Sequence, residues 1–146
     1  MRDADLAQAL ERITVGAVGV TTRALTEATP GFEMTFPQWR ALLILGAEPD
    51  GARLSDVAGR VGVTLPATGR LLRRLERRGL LDLATDPDDR RATRARLTEA
   101  GRATRDAILA YRQRVLTDVA HAANSRGHQD LAGGLGAIAA LLERYA

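Results

Sequence analysis

The chain has 146 residues, of which 45% are hydrophobic and 27% are charged. This balance is typical of a single globular domain and argues against both a disordered chain and a membrane protein. The longest stretch without charge, 131–142, is shorter than the roughly 20 apolar residues of a membrane-spanning helix. The early acidic residues Asp3 and Asp5 argue against a signal peptide, so we expect a cytosolic protein. The absence of cysteine excludes structural disulfides, cysteine-based zinc sites and thiol redox sensing.

The charges are unevenly distributed along the chain. All 21 basic residues are arginines, and twelve of them lie in residues 60–105 beside only six acidic residues. Residues 1–59 carry an excess of negative charge, and residues 106–146 are balanced. A basic central block with acidic or neutral flanks is typical of a module that binds a polyanion.

The first two predicted elements are helices. Apolar residues recur every three or four positions over 4–28, which predicts a helix that ends at Pro30-Gly31. Thr35 followed by Gln38 is a capping-box pattern, and it predicts a second helix that reaches about Ala47.

A helix-turn-helix pattern follows. Residues 54–61 predict a short helix, which Gly62-Val63-Thr64 separates from the next one. Thr64 is a good N-cap, and the second helix is expected to reach Arg78 and to stop at Gly79. Two helices joined by a three-residue turn that contains glycine are typical of this DNA-binding motif.

After the helix-turn-helix pattern, the spacing of the apolar residues changes from a helical period to alternation. The pattern predicts short strands around 81–84 and 92–97, with a polar turn over 86–91. This hairpin lies where the wing of a winged helix belongs. Thr98 is then expected to cap a long helix to about Ala123, and a last helix covers about 129–145. The predicted fold is therefore mainly α with a small β-hairpin wing.

The second helix of the motif carries five arginines opposed only by Glu76. Like charges at this density cost free energy unless a partner neutralises them, and DNA phosphate is the obvious partner. Arg70 lies in the N-terminal half, which reads base edges, and is the best candidate for a bidentate contact with guanine. A tip arginine of the wing can enter a narrow minor groove. The predicted DNA-binding residues are Thr64, Leu65, Ala67, Thr68, Gly69, Arg70, Arg73, Arg74, Arg77, Asp89, Arg90, Arg91 and Arg94.

Some of these residues have a second interpretation. Gly69 either permits a close backbone approach to DNA or allows a tight contact between helices. Arg74, Arg77 and Arg78 either meet phosphates or pair with acidic residues of the chain. The acidic residues of the wing turn could suggest a metal site, but the EF-hand pattern fails because Arg91 occupies the glycine position. We therefore expect no metal and no cofactor.

Several motifs, taken in order, resemble the MarR (multiple antibiotic resistance regulator) family. The resemblance covers nearly the whole chain, and its most specific part is the spaced Asp-Arg-Arg followed by Leu-Thr-x-x-Gly. The matching segments are Gln38-Trp39 with Leu42, Asp56-Val57-Ala58, Gly79-Leu80-Leu81, Asp86-Pro87-Asp88-Asp89-Arg90-Arg91 and Leu97-Thr98-Glu99-Ala100-Gly101. The chain departs from the family pattern at Ala67, Gly69 and Leu83, which removes polar contacts.

The resemblance implies a six-helix winged homodimer in which 35–97 form the DNA-binding lobe and 1–30 with 98–146 form the helical dimerisation region. It also implies a repressor that leaves a pseudo-palindromic operator when a small aromatic or phenolic ligand binds. The pocket walls would include Trp39, Arg40 and Leu43. For Trp39 the favoured explanation is core packing, and Arg40 is equally explained by an ordinary surface position.

Two physical arguments bear on the function. The apolar faces of the first and last helices are more than one small lobe can cover, which favours a homodimer independently of the resemblance. The chain has no cysteine nucleophile, no histidine near a plausible Ser/Asp pair and no phosphate-binding glycine loop, so we do not expect an enzyme. The alternative hypothesis is a winged-helix protein-protein interaction module without specific DNA binding.

Overall fold

The computed structural model of the protein describes residues 2–128 and 131–145. These residues form six α-helices, three short strands and a final 3₁₀ turn. The elements in chain order are α1 Asp3–Glu27, α2 Phe36–Gly46, β1 Ala52–Arg53, α3 Leu54–Val61, α4 Leu65–Arg77, β2 Leu81–Thr85, β3 Thr93–Leu97, α5 Glu99–Ser125, α6 Leu131–Leu142 and the turn Glu143–Tyr145. The predicted class, mainly α with a β-hairpin wing, is confirmed.

Local signals place most of the element ends where the sequence predicts them. Thr35 and Gln38 form both hydrogen bonds of the capping box at the start of α2. Gly62 and Gly79 end α3 and α4 with φ of +82° and +70°, the left-handed region that glycine enters at low cost. The predicted start of the last helix, 129, lies outside the described residues.

The sheet has one strand more than the sequence predicts. β3 lies in the middle, antiparallel to β2 on one side and to the two-residue β1 on the other. Leu81 pairs with Leu97 in the hairpin, and Ala52 pairs with Ala95 across the second interface. A two-residue strand has no readable period, so only its pairing with β3 reveals it.

The chain divides into two compact units, Met1–Arg112 and Gln113–Ala146. The first unit holds the hydrophobic core, in which α2, α3 and α4 pack together and against the sheet. Its most completely buried large side chains are Leu42, Leu45, Val57, Leu72, Leu75, Leu81 and Ile108. This packing leaves the opposite side of α4 exposed to solvent.

The second unit contains the end of α5, together with α6 and the final turn. No described residue of α6 is buried, although the helix is rich in leucine and alanine. Within the described parts of the chain, no helix has the length and apolar character needed to cross a membrane.

Candidate nucleic-acid interface

The start of α4 is determined by Thr64. Its hydroxyl accepts a hydrogen bond of 3.3 Å from the backbone N–H of Ala67, which confirms the predicted N-cap. Pro66 lies in the first turn, where its missing N–H costs no helical hydrogen bond. Leu65, at the first helical position, is 52% exposed. The capped N-terminal end of α4 is therefore exposed to solvent.

The two sides of α4 differ sharply. Thr68, Leu72 and Leu75 are fully buried, so they form the side that packs on the core. The exposed side carries the arginines of the helix, which are Arg70, Arg73, Arg74 and Arg77. Among the described residues, no carboxylate forms an ion pair within 4.0 Å of any of these four. The helix thus exposes four positive charges without internal compensation.

Asp86 organises the base of the wing. Its carboxylate is completely buried and accepts hydrogen bonds from Arg53 at 3.0 and 3.3 Å and from Arg94 at 3.1 Å. The backbone N–H groups of Asp88 and Asp89 donate to the same carboxylate at 2.9 and 3.1 Å. The Arg53 hydrogen bond, followed by the other donors, lowers the pKa of Asp86 from 3.8 to about 2. The wing turn is therefore closed around an ionised carboxylate.

The tip of the wing carries the remaining predicted residues. The Asp89 carboxylate accepts from the backbone N–H of Arg91 at 3.0 Å, while the side chains of Arg90 and Arg91 are exposed. Arg91 and Leu65 line the same open hollow of about 280 Å³. The start of α4 and the wing turn therefore lie beside each other on one face of the first unit.

Three residues predicted to contact DNA have side chains or positions that are partly or fully buried in the structure. Thr68 is fully buried and its hydroxyl donates to the carbonyl of Thr64 at 3.0 Å, so its side chain is not available to base edges. Gly69 is also buried, and a Cβ there would lie 3.2 Å from the guanidinium of Arg73 and, at 4.0 Å, in ordinary contact with Leu54 of α3. Arg94 is half-buried between Asp86 and the carbonyl of Gly51, so it supports the wing rather than projecting from it.

The residues expected to line a ligand pocket lie in or against the core, or on the surface of the first unit. Trp39 is 3% exposed and belongs to the core, as the packing interpretation requires. Leu43 packs against the same core, and exposed Arg40 donates to the carbonyl of Arg60 at 2.8 Å. A larger hollow of about 540 Å³ lies instead at the C-terminal end of α1 and the loop that leads to α2. We call it the α1–α2 hollow.

Two arginines have roles that the sequence did not indicate. Arg53 lies 33 positions before Asp86, and no local pattern connects the two residues. Among the described residues, Arg78 pairs with no acidic side chain. It donates to the carbonyl of Glu33 at 3.0 Å, and its guanidinium lies 4.5 Å from the centre of the Phe32 ring. Arg78 therefore joins the end of α4 to the α1–α2 loop.

Comparisons with known proteins agree with this architecture. RV1404 from Mycobacterium tuberculosis superposes with a TM-score of 0.80 at 25% identity, over 94% of this chain and 92% of that one. A mutant of MepR from S. aureus, solved with a bound oligodeoxyribonucleotide, has the same fold, with a TM-score of 0.71 at 22% identity and coverage of 91% and 97%. Both similarities extend well beyond the winged helix.

Sequence comparisons cover less of the chain. The HTH-type transcriptional repressor IacR of Pseudomonas putida is 28% identical over 83 residues, which are 57% of this chain. The match spans about half the length of that relative, 49%. A model of the MarR family matches residues 32–92, which contain α2, both helices of the motif and the wing turn. The segment that carries the interface therefore has the sequence pattern of the MarR family.

Proposed function

We propose that the protein is a transcription regulator that binds double-stranded DNA in sequence-specific fashion through α4 and the wing. One observation carries the proposal: the exposed side of α4 presents Arg70, Arg73, Arg74 and Arg77 with no ion pair among the described residues. Uncompensated arginines on the outer side of a helix-turn-helix complement the phosphates of a DNA groove. The regulator works in the cytoplasm, where bacterial DNA is found.

Different parts of the interface have different roles in this proposal. Thr64, Leu65 and Ala67 lie at the end of α4 that enters the major groove, and Arg70 with Arg73 reads base edges. Arg74 and Arg77 lie further along and contact phosphates, which strengthen binding without selecting a sequence. Arg90 and Arg91 extend from the wing turn toward the minor groove, with Asp89 holding the backbone of that turn.

We also propose that the protein acts as a homodimer. In α1, Ile13, Val15 and Val18 are 53%, 62% and 53% exposed, and α6 leaves Leu131, Leu135, Leu141 and Leu142 about half exposed. Apolar surface of this extent is typical of a protein interface. A two-fold pair would present two recognition helices about 34–36 Å apart, one turn of DNA.

Repression with release by a small aromatic ligand completes the proposal. IacR is named as a repressor, and MepR was solved with an oligodeoxyribonucleotide, which supports DNA binding as the shared activity. The α1–α2 hollow has a volume in the range of small-molecule sites, about 300–1,000 Å³. Phe32 and Phe36 line it and provide aromatic surface for such a ligand.

The test is a titration of the protein against the DNA upstream of its own gene, at two salt concentrations, with an unrelated duplex beside it. We expect tight, salt-sensitive binding to the upstream DNA and far weaker binding to the unrelated duplex. Arg70→Ala should relax base preference, with a cost of about 1–3 kcal/mol at the base that it reads. Arg91→Ala should weaken all duplexes and reduce the salt slope by about 1.

Arg12→Ala is the matched control, because it removes one exposed positive charge from α1 and leaves the interface unchanged. Equal and weak binding to both duplexes would overturn the regulator proposal. It would favour a winged-helix module that contacts another protein.

A further inference from the structure

The first turn of α4 has no side chain that can form a hydrogen bond with a base. Residues 65–67 make up this turn, have the sequence Leu-Pro-Ala and are exposed or half-buried. We call them the apolar tip. Thr68 follows, but it is fully buried and its hydroxyl already donates to the carbonyl of Thr64 at 3.0 Å. After Thr64, the next exposed side chain with hydrogen-bonding groups is therefore that of Arg70.

The apolar tip borders an open hollow beside the wing. Leu65 is 52% exposed and lines this hollow of about 280 Å³ together with Leu54 of α3 and Ala92, which precedes β3. The remaining lining residues are polar or basic, namely Arg53, Ser55, Arg91 and Thr93. An apolar patch thus lies within the basic surface that α4 and the wing form together, which is the surface that complements DNA.

DNA presents one apolar group in its major groove, the C5-methyl group of thymine. The edges of the other three bases carry only hydrogen-bond donors and acceptors there, and apolar side chains contact the thymine methyl. A polar base edge placed against the apolar tip would lose water without gaining a hydrogen bond. Burial of one methyl group, by contrast, corresponds to about a fourfold gain in affinity.

We propose that the apolar tip recognises thymine through its C5-methyl group, with Leu65 as the main contact. The inference rests on the proposed function, because it requires the start of α4 to lie in the major groove. It adds a specificity-determining residue and assigns base types to the operator. Each half-site has thymine opposite residues 65–67 and guanine opposite Arg70, both read by the same helix.

The test replaces thymine by uracil, which lacks only the methyl group. The upstream duplex made with deoxyuridine keeps its base pairing, its phosphates and every hydrogen-bonding atom of both grooves. We expect the parent to bind this duplex about fourfold more weakly for each contacted methyl group, and about tenfold or more weakly as a homodimer on two half-sites. The ratio of the two affinities is the measured quantity.

Three variants assign the ratio to its source. Leu65→Ala should lower the ratio severalfold, and the half-exposed position of Leu65 leaves the core intact. Leu65→Met should keep most of the ratio, because the apolar contact persists. Arg74→Ala is the matched control within the same helix. It should weaken binding to both duplexes and leave the ratio unchanged, since a phosphate contact does not sense the methyl group.

Equal binding of the thymine and uracil duplexes, by a parent that still prefers its upstream DNA to an unrelated duplex, would overturn this inference alone. A ratio as large in Leu65→Ala as in the parent would assign the effect to DNA shape and would also overturn it. Weak binding to the thymine duplex and to the unrelated duplex alike would overturn the proposed function and this inference with it.

Discussion

At the scale of single residues, the arginines divide by what they contact. Arg53 and Arg94 are paired with buried Asp86, whereas Arg70 of α4 and Arg91 of the wing are exposed. Paired arginines hold the wing, and unpaired arginines remain available to a polyanion. The same residue type therefore supports the wing in one place and stays exposed in another, and pairing with the buried Asp86 carboxylate decides which.

The lowered pKa of Asp86 leads to a prediction of how the stability of the protein depends on pH. Because its pKa is lowered from 3.8 to about 2 in the folded protein, its contribution to stability is fully present above about pH 4. That contribution is lost as the pH falls through the folded pKa. We expect Asp86→Asn to be less stable than the parent at pH 7, and the difference in free energy of unfolding to shrink between about pH 4 and 2.

Urea unfolding of parent and variant at several pH values measures this difference. Asp118→Asn, which neutralises an exposed carboxylate of α5, should show no such convergence. A constant difference between parent and Asp86→Asn down to pH 2 would contradict the assignment.

At the scale of elements, the N-terminal end of α5 docks on the backbone that joins α4 to β2. Thr98 donates from its hydroxyl to the carbonyl of Gly79 at 2.6 Å and accepts from the N–H of Gly101 at 3.0 Å. The N–H of Thr98 donates to the carbonyl of Leu80 at 3.2 Å. These contacts tie α5 to the winged helix, and they require a close approach at Gly101.

Gly101 therefore tolerates no side chain. A Cβ at this position would lie 1.8 Å from the backbone oxygen of Leu80, and a backbone atom in this junction cannot turn away as a flexible side chain could. We expect Gly101→Ala to lower the free energy of unfolding by about 1–3 kcal/mol, the usual cost of overpacking. Urea denaturation of the variant and the parent measures the change.

Gly59→Ala is the control, since Gly59 lies in α3 with nothing within 4 Å of an added Cβ. This change should raise the free energy of unfolding by up to about 1 kcal/mol through helix propensity. Equal effects of the two substitutions would show that the junction at Leu80 is not tightly packed.

At the scale of the whole molecule, apolar surface remains where a single chain offers no cover. α1 exposes Ile13, Val15 and Val18, and no described residue of α6 is buried. The proposed homodimer accounts for this surface. A homodimer would also bind DNA more tightly than a monomer, because one winged module alone makes few contacts with DNA.

The homodimer leads to a prediction on assembly. We expect the parent to sediment as a dimer and Ile13→Glu with Val18→Glu to shift it to monomer, because each change places a charge in apolar contact. Loss of the second module should weaken operator binding about 10²-fold or more. Gln8→Glu, a charge placed on a polar exposed position of α1, should remain dimeric. A monomeric parent, or a double variant that stays dimeric, would contradict the proposal.

The sequence by itself determined the features that depend on neighbours a few residues apart. Thr35, Thr64 and Thr98 cap helices through residues three positions ahead. Gly62 and Gly79 end helices through their own backbone conformation. The alternation of the wing strands and the arginine-rich side of α4 are also local patterns. These features could be predicted because both partners of each interaction lie within one helical turn or one strand.

Only the tertiary structure decided the features that join distant parts of the chain. β1 is too short to have a period and exists through pairing with β3, and Arg53 meets Asp86 across 33 positions. Thr68, predicted to contact DNA, and Trp39, predicted to line a ligand pocket, are both buried in the core. Arg78 likewise contacts Phe32, a residue of the wall of the α1–α2 hollow, only because distant parts of the chain pack together. Such contacts depend on how elements pack, and packing leaves no periodic signal in the order of the residues.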